Sequence, residues 1–382
     1  MSVMKFSCTQ ENLHQGLQIV SHGAIKNVNL PILSNVLVRV ADKTIKLTTT
    51  NLEIAVTATV RGKVDEDGEF TVPSKLFAEY VSLLSNERVD VALHNETVSV
   101  ESAATKTKIK GIAATEFPLI PKVEHVGAYR VPVADFRRAL GRVIFAVSAN
   151  ESRPELSGVL LRFQPNGPAG ELILAATDSY RLAEARIALH EGAGQPERSI
   201  IVPSRTMAEL SRILGAFKDA ADAKATLEIV VADNQVLFLY ETVELVSRTI
   251  EGKYPEYRAV IPENAKTTVL ARREEVVKGV KTSALFARAG INDVQLAADA
   301  AGKRLLLRST DSQTGENETI LLGEVDGVDN MVTLNFRYLL EGVNAIDTEQ
   351  VAIKFVDSAT PCVLTPAGDK PNYLYIVMPI RQ

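Results

Sequence analysis

Hydrophobic and polar positions along this chain follow two rhythms, one of period two and one near 3.6, and the pair returns three times. Each third opens with a short alternating run that passes into a helical one: Phe6-Ser-Cys-Thr-Gln-Glu-Asn-Leu-His, Tyr129-Arg-Val-Pro-Val-Ala-Asp-Phe-Arg and Thr268-Val-Leu-Ala-Arg-Arg-Glu-Glu-Val. In the first two, Thr9 and Asp135 stand near the predicted helix start, where a side-chain oxygen can cap free N–H groups. A strand pair follows each time, over 36–40 with 44–48, 159–163 with 172–176, and 294–297 with 304–308. Next, a strand runs straight into a second helix: Phe70-Thr-Val-Pro-Ser-Lys-Leu-Phe, Ile200-Ile-Val-Pro-Ser-Arg-Thr-Met and Met331-Val-Thr-Leu-Asn-Phe-Arg-Tyr. Proline halts a strand ladder, and the serine after it is expected to accept from the first helical N–H groups. Proline-bounded endings close the thirds at Thr115-Glu-Phe-Pro-Leu-Ile-Pro, Lys253-Tyr-Pro-Glu-Tyr-Arg-Ala-Val-Ile-Pro and Tyr375-Ile-Val-Met-Pro-Ile-Arg.

Four ordered landmarks recurring together predict three similar domains, 1–128, 129–264 and 265–382, each α+β with two helices on one face of an antiparallel sheet. Three such units in a row are expected to make an arc. If helices about 10 Å thick pack side by side in a circle, six leave an opening of only about 10 Å, and twelve leave nearly 30 Å. A DNA duplex is wider than roughly 16 Å from its groove depths alone. One chain therefore cannot encircle it, whereas two can.

Helix faces bear on what such an opening would hold. In the second unit Phe136, Leu140, Val143, Ile144 and Val147 form an apolar stripe, with Arg138 and Arg142 together on another face and Arg137 nearby. In the third, Val276, Val277, Val280, Ala284 and Ala287 are expected to face inward, while Lys278, Lys281 and Arg288 share a face. The second helices carry Arg205, Arg212 and Arg337. The first unit departs, presenting Gln15, Gln18 and His22, with Lys26 and Lys75 as its nearest cations. A solvated face explains any one of these helices alone; recurrence at matching places points to basic helix faces along a DNA path.

Bulk properties narrow the class. The chain has 382 residues, 46% hydrophobic and 23% charged, as in an ordinary globular protein of two or three domains. Its formal net charge of −5, from 42 Lys plus Arg against 47 Asp plus Glu, disfavours tight static nucleic-acid binding, though not weak contact through one basic surface. Cys8 and Cys362 lie near opposite ends without CxxC spacing, which argues against a disulfide framework or a zinc site and fits a reducing cytosol. The start, Met1-Ser-Val-Met-Lys-Phe, does not read as a signal peptide, and no apolar stretch reaches membrane-spanning length, so a soluble cytoplasmic protein without membrane contact is expected.

The landmarks Leu30-Pro-Ile-Leu, Ala176-Thr-Asp-Ser-Tyr-Arg-Leu-Ala, Tyr254-Pro-Glu-Tyr-Arg and Met378-Pro-Ile-Arg closely resemble the bacterial sliding clamp family, the beta subunits of DNA polymerase III. Each motif is moderately specific; their order across three repeats is highly specific and spans the whole chain. The resemblance implies a clamp fold: a head-to-tail homodimeric ring of six similar domains, helices lining the hole and sheets outside. It implies a non-catalytic processivity factor that encircles duplex DNA without regard to sequence and needs no cofactor. It also implies partners held through short peptides: the DNA polymerase III alpha subunit, the clamp loader, other DNA polymerases, ligase and mismatch-repair proteins.

Carried onto this sequence, the peptide groove would use Leu156, Thr177, Ser179, Tyr180, Arg181 and Leu182 of the second unit. From farther along it would use Pro255, Val260, Asn335, Tyr338, Ala359, Pro361, Ile376, Val377, Met378, Pro379, Ile380 and Arg381. Core packing is the alternative for Leu182 and Val260. Branched side chains and Met suit an adaptable apolar pocket. The chain departs from the family pattern at Ser179 and Tyr180, where Gly-His is familiar, at Ala259, often basic, and at Pro361, where serine is familiar. DNA-facing positions would be Lys26, Lys75, Arg137, Arg138, Arg142, Asn150, Arg153, Arg205, Arg212, Lys278, Lys281, Arg288 and Arg337. At the ring seam, an edge strand bearing Lys106, Lys108 and Ile109 would meet the third unit of the other chain near Ile291, Glu316 and Glu318. Lysines that merely guard an exposed edge are the alternative there.

Other chemistry is weakly supported. Asp178-Ser-Tyr-Arg offers a nucleophile and an acid but no histidine partner by spacing. His14, His22, His94, His125 and His190 show no metal-ligand spacing. Gly167, Gly170, Gly192 and Gly194 read as turns, and no phosphate loop is present. A repeat scaffold binding protein or carbohydrate without DNA stays open; it would need the groove but not the basic helices.

Overall fold

Each α-helix begins where a strand stops. Among the described residues of the computed structural model, these are α1 (Gln10–Val20), α2 (Ser74–Ser82), α3 (Val133–Val143), α4 (Ser204–Gly215), α5 (Arg273–Ala284) and α6 (Phe336–Asn344). The structure describes residues 4–381 apart from 26, 104, 122, 124–126, 151, 165–169, 191–194, 218–224, 369 and 370. Lys26, His125, Gly167, Gly192 and Gly194 thus lie outside the described residues.

The strand-to-helix junctions use caps differently from expectation. Thr9 caps α1, its Oγ1 accepting from Asn12 N at 3.2 Å. Asn335 caps α6, accepting from Arg337 N at 2.9 Å. Asp135 is no cap: α3 already starts at Val133, so the carboxylate sits in the first turn and pairs with Arg138. Nor does Ser74 cap, because it is itself the first helical residue after Pro73, and its buried Oγ has no hydrogen-bond partner. With the proline directly before the helix, no residue is left in the extended conformation from which a serine could reach back.

Two compact units emerge, Met1–Val133 with Ala208–Thr249, and Ala134–Met207 with Ile250–Gln382. In the first, a five-stranded sheet runs in the order Gly62–Glu66, Lys5–Thr9, Arg88–His94, Thr97–Ser102, Thr105–Lys110. An eight-stranded sheet joins Gly68–Pro73, Asn35–Ala41, Thr44–Thr50 and Ile54–Val60 to Val243–Arg248, Gln235–Tyr240, Thr226–Val231 and Tyr129–Pro132. α1 packs on α2 and on Ile54–Val60, burying Leu13, Leu17 and Val20. Arg212 of α4 donates to the terminal carbonyls of α1, Ile19 O at 2.5 Å and Gln18 O at 3.4 Å.

The second unit holds one twelve-stranded sheet. Its order is Arg198–Pro203, Gly158–Gln164, Glu171–Thr177, Arg181–Ala188, Tyr373–Val377, Cys362–Pro366, Gln350–Phe355, Thr267–Arg272, Gly315–Gly327, Arg304–Asp311, Asp293–Asp299, Asn330–Asn335. Every recorded strand pairing in both units is antiparallel, with Leu174 opposite Ala185 and Ala183 opposite Tyr375 across the middle. The long strand Gly315–Gly327 changes partner along its length, pairing first with Arg304–Asp311 and from Gly323 onward with Thr267–Ala271. Phe136, Leu140 and Val143 of α3 are fully buried, as are Val276 and Val280 of α5. Val277, Ala284 and Ala287 are only half-buried, and α5 ends at Ala284, so Ala287 and Arg288 fall beyond it. This is the α+β arrangement expected. Both cysteines are free and buried, and burial pushes each thiol up to about 12, which suppresses the reactive thiolate.

Arg142 corrects the reading of α3. Helical spacing put it beside Arg138 on an open face, yet only 7% of Arg142 is exposed, while the Arg138 side chain is 54% exposed. The last turn of α3 lies against Tyr373, whose ring is 5.6 Å from the guanidinium and whose hydroxyl donates to Arg142 O at 3.1 Å. Asp347, just past α6, supplies the ion pair. A buried cation that loses its place leaves this packing and its counter-ion unmatched. We expect Arg142→Met to lower unfolding stability by about 2 kcal/mol and Arg138→Met to leave it nearly unchanged. Parallel urea titrations check this, and equal midpoints would return Arg142 to the open face.

Candidate functional site

A turn between Glu171–Thr177 and Arg181–Ala188 sets the geometry of the expected groove. Thr177 Oγ1 donates to Arg181 O at 2.6 Å and accepts from Ser179 N at 3.1 Å. Asp178 Oδ1 accepts from Tyr180 N at 2.9 Å and from Arg181 N at 3.0 Å. These bonds hold Ser179 at a φ of 78°, the left-handed region where a side chain costs about 1–2 kcal/mol. Glycine, familiar in the resembling family, would sit there without strain. Tyr180 projects from the turn and is 65% exposed.

Arg181 is held from every side. Its Nε donates to Asp178 Oδ2 at 3.0 Å, Nη1 pairs with Glu341 of α6, and Nη2 donates to Phe145 O at 2.7 Å. Its guanidinium stacks over the Tyr338 ring at 4.6 Å and the Phe145 ring at 5.6 Å. The turn is thereby fastened to α6. Phe145 and Glu341 escaped the sequence reading, since nothing in their own segments marks them as partners of Arg181.

Below the turn lies an apolar floor. Leu156, Leu160, Leu182, Val363 and Ile376 form one cluster with Tyr254 and Tyr257. The chain end is docked: Val377 pairs with Arg181, Met378 N donates to Tyr180 O at 2.9 Å, and Ile380 N donates to Thr333 O at 2.8 Å. Asp357 anchors the turn before Pro361, and hydrogen bonds from the Thr360 side chain and from the Ala359 and Thr360 N–H groups hold its carboxyl below the ordinary range.

The expected groove residues thus divide in two. Leu156, Leu182, Ile376 and Val377 are fully buried, as is most of Thr177, so as contact surface they are corrected to floor. Their neighbours in the sheet cover them. Val260 is 43% exposed and Tyr180 more so, with Pro255, Asn335, Tyr338, Pro361, Met378, Pro379 and Ile380 half-buried and Ser179, Ala359 and Arg381 open. Core packing therefore accounts for Leu182 but not for Val260.

Among the expected DNA-facing residues, Lys75, Arg138, Arg205, Lys278, Lys281 and Arg337 are exposed on their helices, and Asn150 and Arg153 are exposed on the loop after α3. Arg153 instead reaches Glu155 and Ser179 Oγ, both at 3.1 Å. Arg137 is half-buried, with an Nε that has no hydrogen-bond partner. Arg212 is corrected: its guanidinium is committed to Glu209 and the end of α1. Arg288 is also corrected, because it lies past α5 and is paired with Asp293. Helical spacing alone cannot register where a helix ends or which carbonyls lie within an arginine's reach.

Two open strand edges bear on a ring seam. The turn at Thr177–Arg181 has a twin at Thr50–Ile54, where Leu52 takes a φ of 77° and Asn51 Oδ1 accepts from Glu53 N at 3.0 Å and Ile54 N at 2.8 Å. A third version, one residue longer, occurs at Asp311, which accepts from Gln313 N and Thr314 N. The strand after the first turn pairs with Val243–Arg248, and the strand after the second with Tyr373–Val377. After the third, Gly315–Leu322 has a strand on one side only. Thr105–Lys110, the first-repeat counterpart of Val243–Arg248, likewise ends its sheet. Ile109 is 4% exposed and so belongs to its own core, a correction to its place in the seam. Ile291 is 42% exposed, and Leu285, Ile320 and Leu322, which the sequence reading passed over, are 73%, 50% and 77% exposed.

The three repeats match family models for the DNA polymerase III beta subunit: the N-terminal domain over residues 4–121, the central domain over 130–256 and the C-terminal domain over 258–381. The beta sliding clamp of Synechococcus elongatus is 31% identical over 384 residues, covering 99% of each chain. Among solved structures, the beta subunit from Thermotoga maritima is similar at 28% identity with a TM-score of 0.88, covering 99% of this chain and 100% of that one. The sliding clamp from Pseudomonas aeruginosa bound to griselimycin is similar at 25% identity, a TM-score of 0.90 and the same coverage.

The left-handed turn yields a direct test. We expect Ser179→Gly to be at least as stable as the native protein, and Ser179→Val to fall about 1–2 kcal/mol below Ser179→Gly. Coincident urea midpoints for the two variants would show that the turn does not impose this conformation.

Proposed function

As a member of the DNA polymerase III beta subunit family, the beta sliding clamps, this chain is a DNA sliding clamp, a processivity factor and not a catalyst, and we propose that it works as a homodimeric ring around duplex DNA. The alpha subunit of DNA polymerase III, the clamp loader, other DNA polymerases, ligase and mismatch-repair proteins would then dock through short peptides in the groove beneath Tyr180. The division at 1–128, 129–264 and 265–382 is part of the same reading.

One observation carries the ring: two unlike open edges that complement each other. In the hairpin ending at Thr105–Lys110, Ser102 faces Thr105 as Tyr240 faces Val243, so Lys106 and Lys108 correspond to Glu244 and Val246. Across the other edge, Thr310 faces Glu316 as Thr50 faces Ala55, so Glu316 and Glu318 correspond to Ala55 and Thr57. Val246 pairs with Ala55 and Glu244 with Thr57. Transferred to two chains, that register sets Lys108 opposite Glu316 and Lys106 opposite Glu318. In the single chain two of these groups already have partners, Lys106 with Glu101 at 2.5 Å and Glu318 with Arg308 at 2.6 Å. The charges therefore select the register, while the backbone ladder and exposed apolar groups such as Leu285 and Ile291 supply most of the affinity.

The exposed helix cations support a DNA path. Sequence-independent contact needs cations near phosphates and no base readout, and Lys278, Lys281 and Arg337 stand exposed on their helices, as does Arg138 beside its partner Asp135. The exposed positions Tyr180 and Val260 above an apolar floor, with a docked chain end beside them, support the peptide groove.

Charge reversal tests the seam. Lys106→Glu with Lys108→Glu, and separately Glu316→Lys with Glu318→Lys, should each weaken the dimer roughly tenfold or more in sedimentation equilibrium. Mixing the two variants should restore it, because both seams of the mixed ring are then complementary. Unchanged dimers from either variant, or a mixture no tighter than its parts, would overturn this register. Separately, Arg138→Glu with Lys278→Glu and Lys281→Glu should shorten retention on circular DNA while leaving the solution mass unchanged; unaltered retention would remove these helices from the DNA path.

A further inference from the structure

Glu184 is a carboxylate buried in the sheet, 3% exposed, on the strand Arg181–Ala188, two residues from Leu182 and so on the same face as the groove floor. A buried carboxylate is costly unless several partners compensate it. Here Tyr257 Oη donates to Oε2 at 2.5 Å, Arg186 Nη2 lies 2.8 Å from Oε1, and Arg258 Nε lies 3.8 Å from Oε2. Tyr257 and Arg258 belong to the connecting segment that also carries Pro255 and Val260.

Tyr254 and Tyr257 also pack in the apolar cluster, but the main chain of the segment has few distant ties. Among the described residues, its backbone bonds are local turns: Tyr257 N to Pro255 O at 2.8 Å, Ala259 N to Glu256 O at 3.3 Å and Ile261 N to Arg258 O at 3.2 Å. Upstream of it, the two connecting segments share a main-chain tie, Ile112 N donating to Thr71 O at 3.1 Å after the first repeat and Ile250 N donating to Ile201 O at 2.8 Å after the second. The strand position matching Glu184 in the first repeat is Thr57, which bonds Thr48 instead. The buried acid is thus an addition to the second segment, with no counterpart at Thr57.

We propose that Glu184 is a positioning residue for the groove: through Tyr257 and Arg258 it holds the wall bearing Pro255 and Val260 over the apolar floor, so that peptide affinity depends on a carboxylate the peptide does not touch. The link to peptide binding rests on the groove reading given above; the link to the wall does not. Leu182 and Ile376 stay in place without Glu184, because they pair with each other, and Leu156 is held by its own turn, its N–H donating to Arg153 O at 3.0 Å and its carbonyl accepting from Ser148 N at 2.9 Å. What changes is the freedom of residues 255–261.

Hydrogen exchange on the full-length native dimer tests the anchor without any ligand. Glu184→Leu and Tyr257→Phe should each speed amide exchange across 256–261 by about tenfold, with exchange across 172–176 and the solution mass unchanged. Glu184→Gln, which keeps an acceptor for Tyr257 but loses the charge facing Arg186 and Arg258, should fall between. A synthetic peptide copied from the clamp-binding tail of the replicative polymerase should bind Glu184→Leu several-fold more weakly, and Glu184→Leu with Tyr257→Phe no more weakly than either alone. Native exchange across 256–261 in Glu184→Leu and Tyr257→Phe would overturn the anchor. Faster exchange with unchanged peptide affinity would overturn the coupling to binding. A native protein that does not bind the peptide would count against the groove itself, leaving the exchange result to decide the anchor.

Discussion

An antiparallel strand offers two edges of N–H and C=O groups, and each edge must be met by another strand, by water or by a covering element. This requirement organises the molecule. Each repeat ends its first half in a tight turn followed by a strand whose outer edge accepts a strand from the second half of the next repeat. Two of the three such edges are filled within the chain. The third, Gly315–Leu322, and its unlike counterpart Thr105–Lys110 are what a second copy would fill. An interface of this kind extends a sheet, so its specificity lies in register and charge order more than in buried area.

The proposed groove is built by the same device. Pairing of Tyr373–Val377 on Arg181–Ala188 brings the chain end against the Thr177–Arg181 turn, and the positive φ at Ser179 swings Tyr180 outward. Arg181, clasped by Asp178, Glu341 and two aromatic rings, converts that turn into a rigid rim. Near-copies at Leu52 and Asp311 show the turn to be part of the repeat. What distinguishes the second copy is its side chains: Leu182 where the first has Ala55, Ile376 where the first has Val246, and the acid at Glu184 where the first has Thr57.

Much of the fold was legible because period and punctuation agree. The strand pairs at 36–48, 159–176 and 294–308 and the six helix starts stand where alternation and proline placed them. Caps were less legible, since Ser74 and Asp135 have the right chemistry one and three residues too late. Arginines were the least legible. Arg142, Arg212 and Arg288 look alike on a helical wheel, and each is taken up by a partner distant in sequence or by a helix that has ended. Groove residues carried over by resemblance came to one region, but resemblance could not sort floor from rim, and it did not reach Glu184. Distant pairings such as Tyr257 with Glu184 leave no periodic trace.

The repeat and the compact unit do not coincide in this chain. The middle repeat gives its strands 226–248 to a sheet begun by the first repeat, and its strand Arg181–Ala188 to a sheet completed by the last. Sequence similarity therefore marks the repeated module, while each compact unit straddles two modules. An excised middle module would carry two raw edges where its neighbours used to be, so the chain cannot be dismantled along the seams of its own ancestry.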